Sequence, residues 1–152
     1  MHTLFRKINC MKRSCLLFFF TMLFTCESIA QTTDETIIRN AMNEQMEAWN
    51  KADINRFMQT YWKSDSLMFI GKEGVTYGWE QTRQSYIKGY PDTASMGKLN
   101  FTIILVKRLS VLYYHVVGKW HLTRTAGNLS GHFTLLFKKI NNKWVIVSDH
   151  SS

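Results

Sequence analysis

The feature that most constrains this fold is the stretch from Leu99 onward, because it reads as consecutive β-strands. Four segments there have extended, largely alternating patterns: LNFTIILVK, YYHVVGKWHLTRT, SGHFTLLFKK and KWVIVSDHS. Alternation with a period of two is typical of half-buried strands. Gly127-Asn128 and Asn141-Asn142 separate the last three segments, and both dipeptides suit two-residue hairpin turns that need positive φ. The sequence therefore predicts an antiparallel meander.

Helices are predicted before this sheet. Thr32 and Glu35 have capping-box spacing, and the helix that follows should bury one face through Ile38, Met42, Met46 and Trp49. Asp53 is expected to cap a second, short helix, and a third is expected from about Trp79 to Lys88. The segment SLMFIG between them reads as a strand. Helices followed by a meander predict an α+β domain in which the helices cover one face of the sheet.

The two turns also predict which residues face the helices. If each turn contains two residues, Leu122 lies opposite Phe133, and Phe133 lies opposite His150. The covered face then carries Trp120, Leu122, Phe133, Leu135, Phe137, Trp144 and Ile146, with Arg124, Ser148 and His150 at its end. Asp149 would point to the other face, beside Thr134. A single β-bulge would exchange the two faces beyond it.

Several segments resemble the nuclear transport factor 2-like superfamily, and within it the SnoaL-like group and its relatives of unknown function, which are common as small exported bacterial proteins. The resemblance covers residues 34–152 and rests on AWNKADINRF, LMFIG, TYGWEQT, GKWHLTR and GHFTLLFKKINNKWVIVSDHSS. It implies a cone, in which a curved antiparallel sheet wraps around the N-terminal helices and leaves a pocket at the open end. It also implies a homodimer formed through the sheet. Members include isomerases, cyclases, dehydratases, hydrolases and binding domains, so the fold does not define the activity.

His150 and Arg124 are the candidate catalytic residues. An imidazole exchanges protons near neutral pH, and a neighbouring guanidinium can hold an anion. The alternative is that His150 only caps the sheet. Residues expected to bind a ligand are Trp49, Tyr61, Trp62, Phe69, Tyr77, Trp79, Tyr86, Trp120 and Ser148.

Other catalytic groupings are weaker. Acid–base members of the resembled superfamily use a pocket carboxylate with a phenol or second acid, and Asp53 or Asp65 would be candidates here. Helix capping explains Asp53, and Asp65 lies in a turn-like KSDS segment. A Ser-His-Asp triad through Asp149 and His150 is excluded, because adjacent strand residues point to opposite faces.

No metal, cofactor or nucleic acid is expected. His121, His132 and Asp149 could approach one another on one face, but no metal-binding spacing accompanies them. The chain has no glycine-rich phosphate loop and no dinucleotide fingerprint. Its basic residues are scattered and form no stripe.

Residues 1–30 read as a signal peptide, with basic residues before the apolar run LLFFFTMLFT and small residues Ser28 and Ala30 before the expected cleavage point. Residues 31–152 would then form the single exported domain, periplasmic or secreted and without stable membrane association. An uncleaved anchor or a lipoprotein modified at Cys26 are alternatives, and translation could start at Met11. Residues 1–30 hold all three cysteines, four of the 19 basic residues and one of the 11 acidic residues, so the remaining chain has no disulfide and a net charge of +5.

Three functions remain open. The domain could bind a small organic ligand, which could be anionic. It could be an isomerase or dehydratase that uses His150 as the base and Arg124 as the anion holder. It could also be a structural dimerisation module. An enzyme should have a polar pocket group with a perturbed pKa and a second group within hydrogen-bond distance, whereas a structural module should fill the pocket with its own tryptophans.

Overall fold

The computed structural model describes residues 33–152, and Ile37–Ser152 form one compact unit. The predicted signal peptide and Thr32 of the predicted capping box lie outside the described residues. Helix α1 occupies residues 33–50. Helix α2, Ile54–Phe57, continues into a 3₁₀ turn, Met58–Thr60. Helix α3 spans Trp79–Gly89 and helix α4 spans Thr93–Met96. Within 33–152, no helix is both long enough and apolar enough to span a membrane.

In the described part of the chain, six strands form one curved sheet. They are β1 (Met68–Gly71), β2 (Gly74–Tyr77), β3 (Lys98–Ser110), β4 (Tyr113–Thr123), β5 (Leu129–Ile140) and β6 (Lys143–Ser151). Their order is β2-β1-β6-β5-β4-β3. The predicted α+β class is confirmed, but the sheet is mixed and not antiparallel throughout, because β1 pairs with β6 in parallel.

Helix α1 packs its apolar residues against the inner face of the sheet. Ile38 and Met42 are buried, as are Phe133, Leu135 and Phe137 on β5. Burial of each large apolar side chain contributes about 1.5–3 kcal/mol to folding. The predicted cap is also confirmed: Asp53 Oδ1 accepts a hydrogen bond from the Arg56 backbone N–H at 2.9 Å.

The β4–β5 connection is longer than predicted. Leu122 pairs with Leu129 and not with Phe133, a difference of four residues in register. The Arg124 backbone N–H donates to Asn128 Oδ1 at 3.0 Å, so the Asn128 side chain closes a loop where a tight turn was expected. A register shift by an even number of residues leaves each side chain on the same face of the sheet. Leu122 and Phe133 are therefore both buried as predicted.

The β5–β6 hairpin begins as predicted and then departs from the predicted register. Asn141 and Asn142 have φ of 49° and 61°, and Phe137 pairs with Ile146. The next pair is Leu136 with Ser148, which leaves Val147 as the extra residue of a β-bulge. The bulge exchanges the faces of β6 beyond Val147. The predicted orientations of Ser148, Asp149 and His150 are therefore wrong.

Candidate functional site

A cavity of about 500 Å³ lies between helices α1 and α3 and the inner face of the sheet. Nine of its 23 lining residues are aromatic: Trp49, Phe57, Tyr61, Phe69, Tyr86, Tyr90, Phe101, Trp120 and Phe133. The Trp49 ring meets the rings of Phe57 and Tyr90 edge-on, with centroids 5.2 and 4.8 Å apart. The same indole donates from Nε1 to the Met96 carbonyl oxygen at 3.2 Å. This side of the cavity is thus held rigidly.

Asp149 places a buried carboxyl group in the cavity wall. The bulge turns Asp149 inward opposite Leu135, and only 3% of the residue is exposed. Oδ2 accepts a hydrogen bond from Tyr61 Oη at 2.6 Å, and Oδ1 accepts one from Ser151 Oγ at 2.8 Å. Burial raises the pKa of Asp149 to about 6, because the loss of hydration outweighs the lowering effect of these two hydrogen bonds.

Tyr61 reaches Asp149 because its backbone is tied to β6. The 3₁₀ turn ends at Thr60, Tyr61 forms a parallel bridge to Ile146, and the Trp62 N–H donates to the Ile146 carbonyl at 2.9 Å. This attachment places the Tyr61 phenol beside the inward-facing end of β6. Burial, followed by the nearby Asp149 carboxylate, raises the pKa of Tyr61 well above its ordinary value, so the hydroxyl keeps its proton.

Tyr86 extends the polar network by one hydroxyl. Its Oη lies 3.4 Å from Tyr61 Oη. Tyr61 gives its only hydroxyl proton to Asp149, so Tyr86 must be the donor in this second contact. The pKa of Tyr86 is also raised well above its ordinary value, chiefly by burial. The Tyr86 hydroxyl thus donates to the Tyr61 hydroxyl, which in turn donates to the Asp149 carboxylate.

Two residues of the cavity lining each have a fully buried nitrogen atom without a hydrogen-bond partner among the described residues. These atoms are Gln45 Nε2 on α1 and Trp120 Nε1 on β4. A buried donor without an acceptor costs about 1–3 kcal/mol. The Trp79 indole, by contrast, has an acceptor, since its Nε1 donates to the Met58 carbonyl at 2.9 Å.

The structure brings five of the nine predicted ligand-binding residues to this cavity: Trp49, Tyr61, Phe69, Tyr86 and Trp120. The other four do not line it. Tyr77 is 62% exposed on β2, and Trp79 begins α3 beneath the Lys63 ammonium group. Trp62 is half-buried beside β6, and Ser148 lies on the outer face because of the bulge.

The predicted position of His150 on the inner face is wrong. His150 pairs with Thr134, and both are exposed on the outer face. The structure does not bring Arg124 to His150 either. Arg124 Nε donates to the Gly127 carbonyl at 2.9 Å and Nη1 donates to the Ser95 carbonyl at 3.2 Å. Arg124 therefore ties the β4–β5 loop to helix α4 and lines a separate, smaller cavity.

The remaining sequence candidates also lie away from this cavity. Asp53 caps α2, and Asp65 is exposed before β1. The considered grouping of His121 and His132 with Asp149 does not form, because Asp149 faces inward. Across residues 33–152, no three His, Cys, Asp or Glu side chains are grouped as metal ligands. Sequence reasoning missed Asp149 in the site, since a bulge after Ile146 has no signal in the run WVIVSD.

A curved sheet that encloses a cavity with its covering helices defines the nuclear transport factor 2-like class of folds. A protein of this class of unknown function from Shewanella oneidensis MR-1 has 44% identity and a TM-score of 0.74, and the match covers 80% of this chain and 98% of that one. A Salmonella enterica serovar Typhimurium LT2 superfamily protein has 21% identity and a TM-score of 0.65, with 80% and 92% covered. A ketosteroid isomerase-like protein from Erwinia carotovora atroseptica SCRI1043 has 18% identity and a TM-score of 0.60, with 77% and 93% covered.

The family within this class is identified by sequence similarity. The SnoaL-like domain matches residues 38–152, and the chain belongs to this family. No curated protein matches the chain at a significant level.

Proposed function

We propose that this SnoaL-like domain binds a small, largely apolar organic molecule in the aromatic cavity, with Asp149 and Tyr61 as the polar anchor. The observation that carries the proposal is a buried carboxyl group in the wall of a mainly apolar cavity of about 500 Å³. Small-molecule sites are typically concave, about 300–1,000 Å³ in volume, and mainly apolar with a few convergent polar groups.

The tryptophans support binding over a purely structural role. Trp49 and Trp120 line the cavity and leave its volume open. The buried carboxyl group of Asp149 also supports a binding role. Burial of a carboxyl group costs desolvation energy, and packing alone does not require it.

A cavity-blocking variant tests this proposal. Leu129 lines the cavity and is 40% exposed, so Leu129→Trp should fill the mouth at little cost to folding. Leu112 is 46% exposed and lies between β3 and β4, outside the cavity lining, and Leu112→Trp is the matched control. In a thermal-shift screen of neutral aromatic, steroid-like and polyketide-like compounds, a ligand should raise the Tm of the wild type and the control but not of Leu129→Trp. Equal shifts in all three proteins would place binding elsewhere.

A second candidate function is proton transfer, and Asp149 favours it. With a pKa of about 6, the carboxylate is mostly ionised at neutral pH and still close enough to the working pH to act as a general base. It would accept a proton from a carbon next to a ligand carbonyl. Return of that proton to a different carbon gives isomerisation, and its transfer to a leaving hydroxyl gives dehydration. Tyr61 positions the carboxylate, and this assignment moves the base from His150 to Asp149.

Exchange of ligand protons with solvent tests proton transfer without a known product. The methyl group of 2-acetylnaphthalene lies next to its carbonyl, and NMR in D₂O would follow loss of the methyl signal. Asp149→Asn should lower the exchange rate about 10²–10⁴-fold, whereas Asp65→Asn, an exposed control, should not. A probe that binds without any exchange would identify a binding module.

We also propose that residues 1–30 are a signal peptide and that the protein is periplasmic or secreted. The basic and apolar layout of this segment supports the proposal. N-terminal sequencing of the protein from fractionated cells should find a start at residue 31. A lipid-modified Cys26 or an intact leader would contradict it.

Homodimer formation through the sheet is proposed as well. The outer face offers apolar side chains, including Leu136 on β5 and Leu105 on the edge strand β3, which pairs with Val117 on β4. Sedimentation equilibrium of the purified protein should give a dimer mass. A monomer mass at all concentrations up to about 100 µM would contradict it, since obligate homodimers associate well below that range.

A further inference from the structure

We propose that the tip of the β3–β4 hairpin, residues 109–112, docks reversibly on an anionic lipid bilayer. Val111 and Leu112 form the two-residue connection between the strands. Their side chains would enter the lipid interface, and the basic residues around this hairpin tip would contact lipid phosphates. The inference does not depend on the proposed ligand-binding function, because no residue of the hairpin tip lines the aromatic cavity.

The apolar side chains of the hairpin tip are exposed to solvent. Leu109, Val111 and Leu112 are 54%, 64% and 46% exposed. Turns usually consist of Gly, Pro, Asn, Asp or Ser, as in the Asn141-Asn142 connection of the next hairpin. Among residues 33–152, five of the ten exposed large apolar residues lie between 104 and 112. A concentration of exposed apolar side chains indicates an interaction surface.

Hydrogen bonds within the protein satisfy several backbone groups of the hairpin tip. The Ser110 carbonyl accepts from Arg108 Nε at 3.3 Å, and the Leu112 N–H donates to Ser110 Oγ at 3.2 Å. The Leu112 carbonyl accepts from the Lys139 N–H on β5 at 2.9 Å. An unpaired backbone group is costly in an apolar medium, so these partners lower the cost of moving the hairpin tip into the lipid interface.

Basic residues surround the hairpin tip. Arg108 contacts it directly through the bond to Ser110. Lys138 pairs with Tyr113, the residue after the hairpin tip, and Lys143 lies on the neighbouring β5–β6 hairpin. Between residues 93 and 148 the chain has no acidic residue and eight basic residues: Lys98, Lys107, Arg108, Lys119, Arg124, Lys138, Lys139 and Lys143. Each Lys or Arg near an anionic bilayer raises the affinity about fivefold.

Charge and shape favour a bilayer over a second copy of the chain. In a two-fold contact the same patch meets itself, so Arg108 and Lys138 would face the same basic residues of the other copy. Protein–protein hot spots are mostly Trp, Tyr and Arg in pockets, whereas the hairpin tip offers leucine and valine on an exposed turn. Apolar area combined with basic charge is what binds proteins reversibly to anionic lipid surfaces. Such docking agrees with the expectation that the protein has no stable membrane association.

Co-sedimentation with lipid vesicles tests the inference. The protein used is residues 31–152, which contains the compact unit Ile37–Ser152 and lacks the apolar run of the leader, which would itself bind lipid. It should bind vesicles made of equal parts phosphatidylcholine and phosphatidylglycerol, and not vesicles of phosphatidylcholine alone. The binding should weaken as added salt screens the charges.

One pair of double variants tests the apolar contact. Val111→Ser with Leu112→Ser should lower the affinity for the anionic vesicles about tenfold or more, since a large apolar side chain contributes about fivefold even when only half of it leaves water. Val75→Ser with Ile87→Ser removes two exposed apolar side chains on β2 and α3 and should keep the wild-type affinity. Equal binding by the wild type and the first variant would overturn the inference, because attraction by charge alone would then explain it.

A second pair of double variants tests the placement of the charges. Lys138→Gln with Lys143→Gln should lower the affinity about fivefold for each lysine. Lys51→Gln with Lys88→Gln removes the same net charge after α1 and on α3 and should change the affinity little. Equal losses in the two variants would overturn the inference, since net charge and not the hairpin tip would then attract the bilayer.

The wild type itself gives the most direct refutation. Absence of binding to the anionic vesicles would overturn the inference. If the wild type bound no vesicles but self-associated in sedimentation equilibrium, and Val111→Ser with Leu112→Ser abolished that association, a second copy of the chain would be the partner of the hairpin tip. Binding that needs both the apolar and the basic side chains supports the bilayer.

Discussion

The buried carboxyl group of Asp149 should make the protein less stable as the pH rises. The pKa of Asp149 is about 6 in the folded protein and about 3.8 in the unfolded chain. Between these values the native state binds more protons than the unfolded state, so the free energy of unfolding falls with increasing pH. The stabilisation is fully present below about pH 4 and is lost as the pH passes through 6. A difference of about 2 pKa units corresponds to about 3 kcal/mol.

Asp149→Asn isolates this contribution. The asparagine side chain has nearly the same shape, can still accept from Tyr61, and does not titrate. The free energy of unfolding of each protein would be measured by urea denaturation at pH 4, 5, 6, 7 and 8. The other titrating groups are common to both proteins and cancel in the difference.

The difference, variant minus wild type, should rise by about 2.4 kcal/mol between pH 4 and pH 7 and then level off. Asp65→Asn, at an exposed position outside the cavity lining, is the matched control for the substitution itself. A pH-independent difference for Asp149→Asn would refute the reasoning, because it would mean that Asp149 titrates as it does in the unfolded chain. A difference that falls with pH would mean that hydrogen bonds, and not burial, dominate its environment.

Three further outcomes follow from the same contacts. Tyr61→Phe removes the donor 2.6 Å from Asp149, so it should raise the pKa of Asp149 further. The same denaturation series should show that the free energy of unfolding falls by about 1–3 kcal/mol at pH 8 and by less at pH 4. Asp53→Ala removes the cap of α2 and should lower the free energy of unfolding by about 1 kcal/mol, whereas Asp65→Ala should stay within about 0.5 kcal/mol of the wild type. His150→Ala changes an exposed residue on the outer face, so it should leave every ligand-induced thermal shift unchanged. A lost shift would show that His150 belongs to the site.

Much of the fold could be predicted from local patterns in the sequence. The spacing of apolar residues in α1, the Asp53 cap and the Asn141-Asn142 turn all act through contacts a few residues apart. The β4–β5 loop was harder to predict, because its turn lies at Thr125-Ala126, two residues before the expected position, and the Asn128 side chain accepts from the Arg124 N–H. The pairing of β1 with β6 depends on contacts distant in the sequence, which no local pattern encodes.

The candidate site could not be predicted because one bulged residue decides it. Val145 and Val147 are both apolar. A regular strand and a strand with a bulge at Val147 would both bury Ile146, so the sequence pattern does not distinguish them. Only the tertiary structure shows that the residues after Val147 exchange faces, which buries Asp149 and exposes His150. The aromatic wall was easier to anticipate, because large rings are seldom left in water, and five of the nine predicted residues line the cavity.

A crystal structure of the protein with 2-acetylnaphthalene would test the central claim most directly. The claim is that the cavity binds a small, largely apolar molecule, with Asp149 and Tyr61 in the wall that contacts it. The predicted result is electron density for the naphthalene ring inside the cavity, against Trp49 and Tyr86. Density for the probe outside the cavity, or an empty cavity at saturating probe concentration, would contradict the claim.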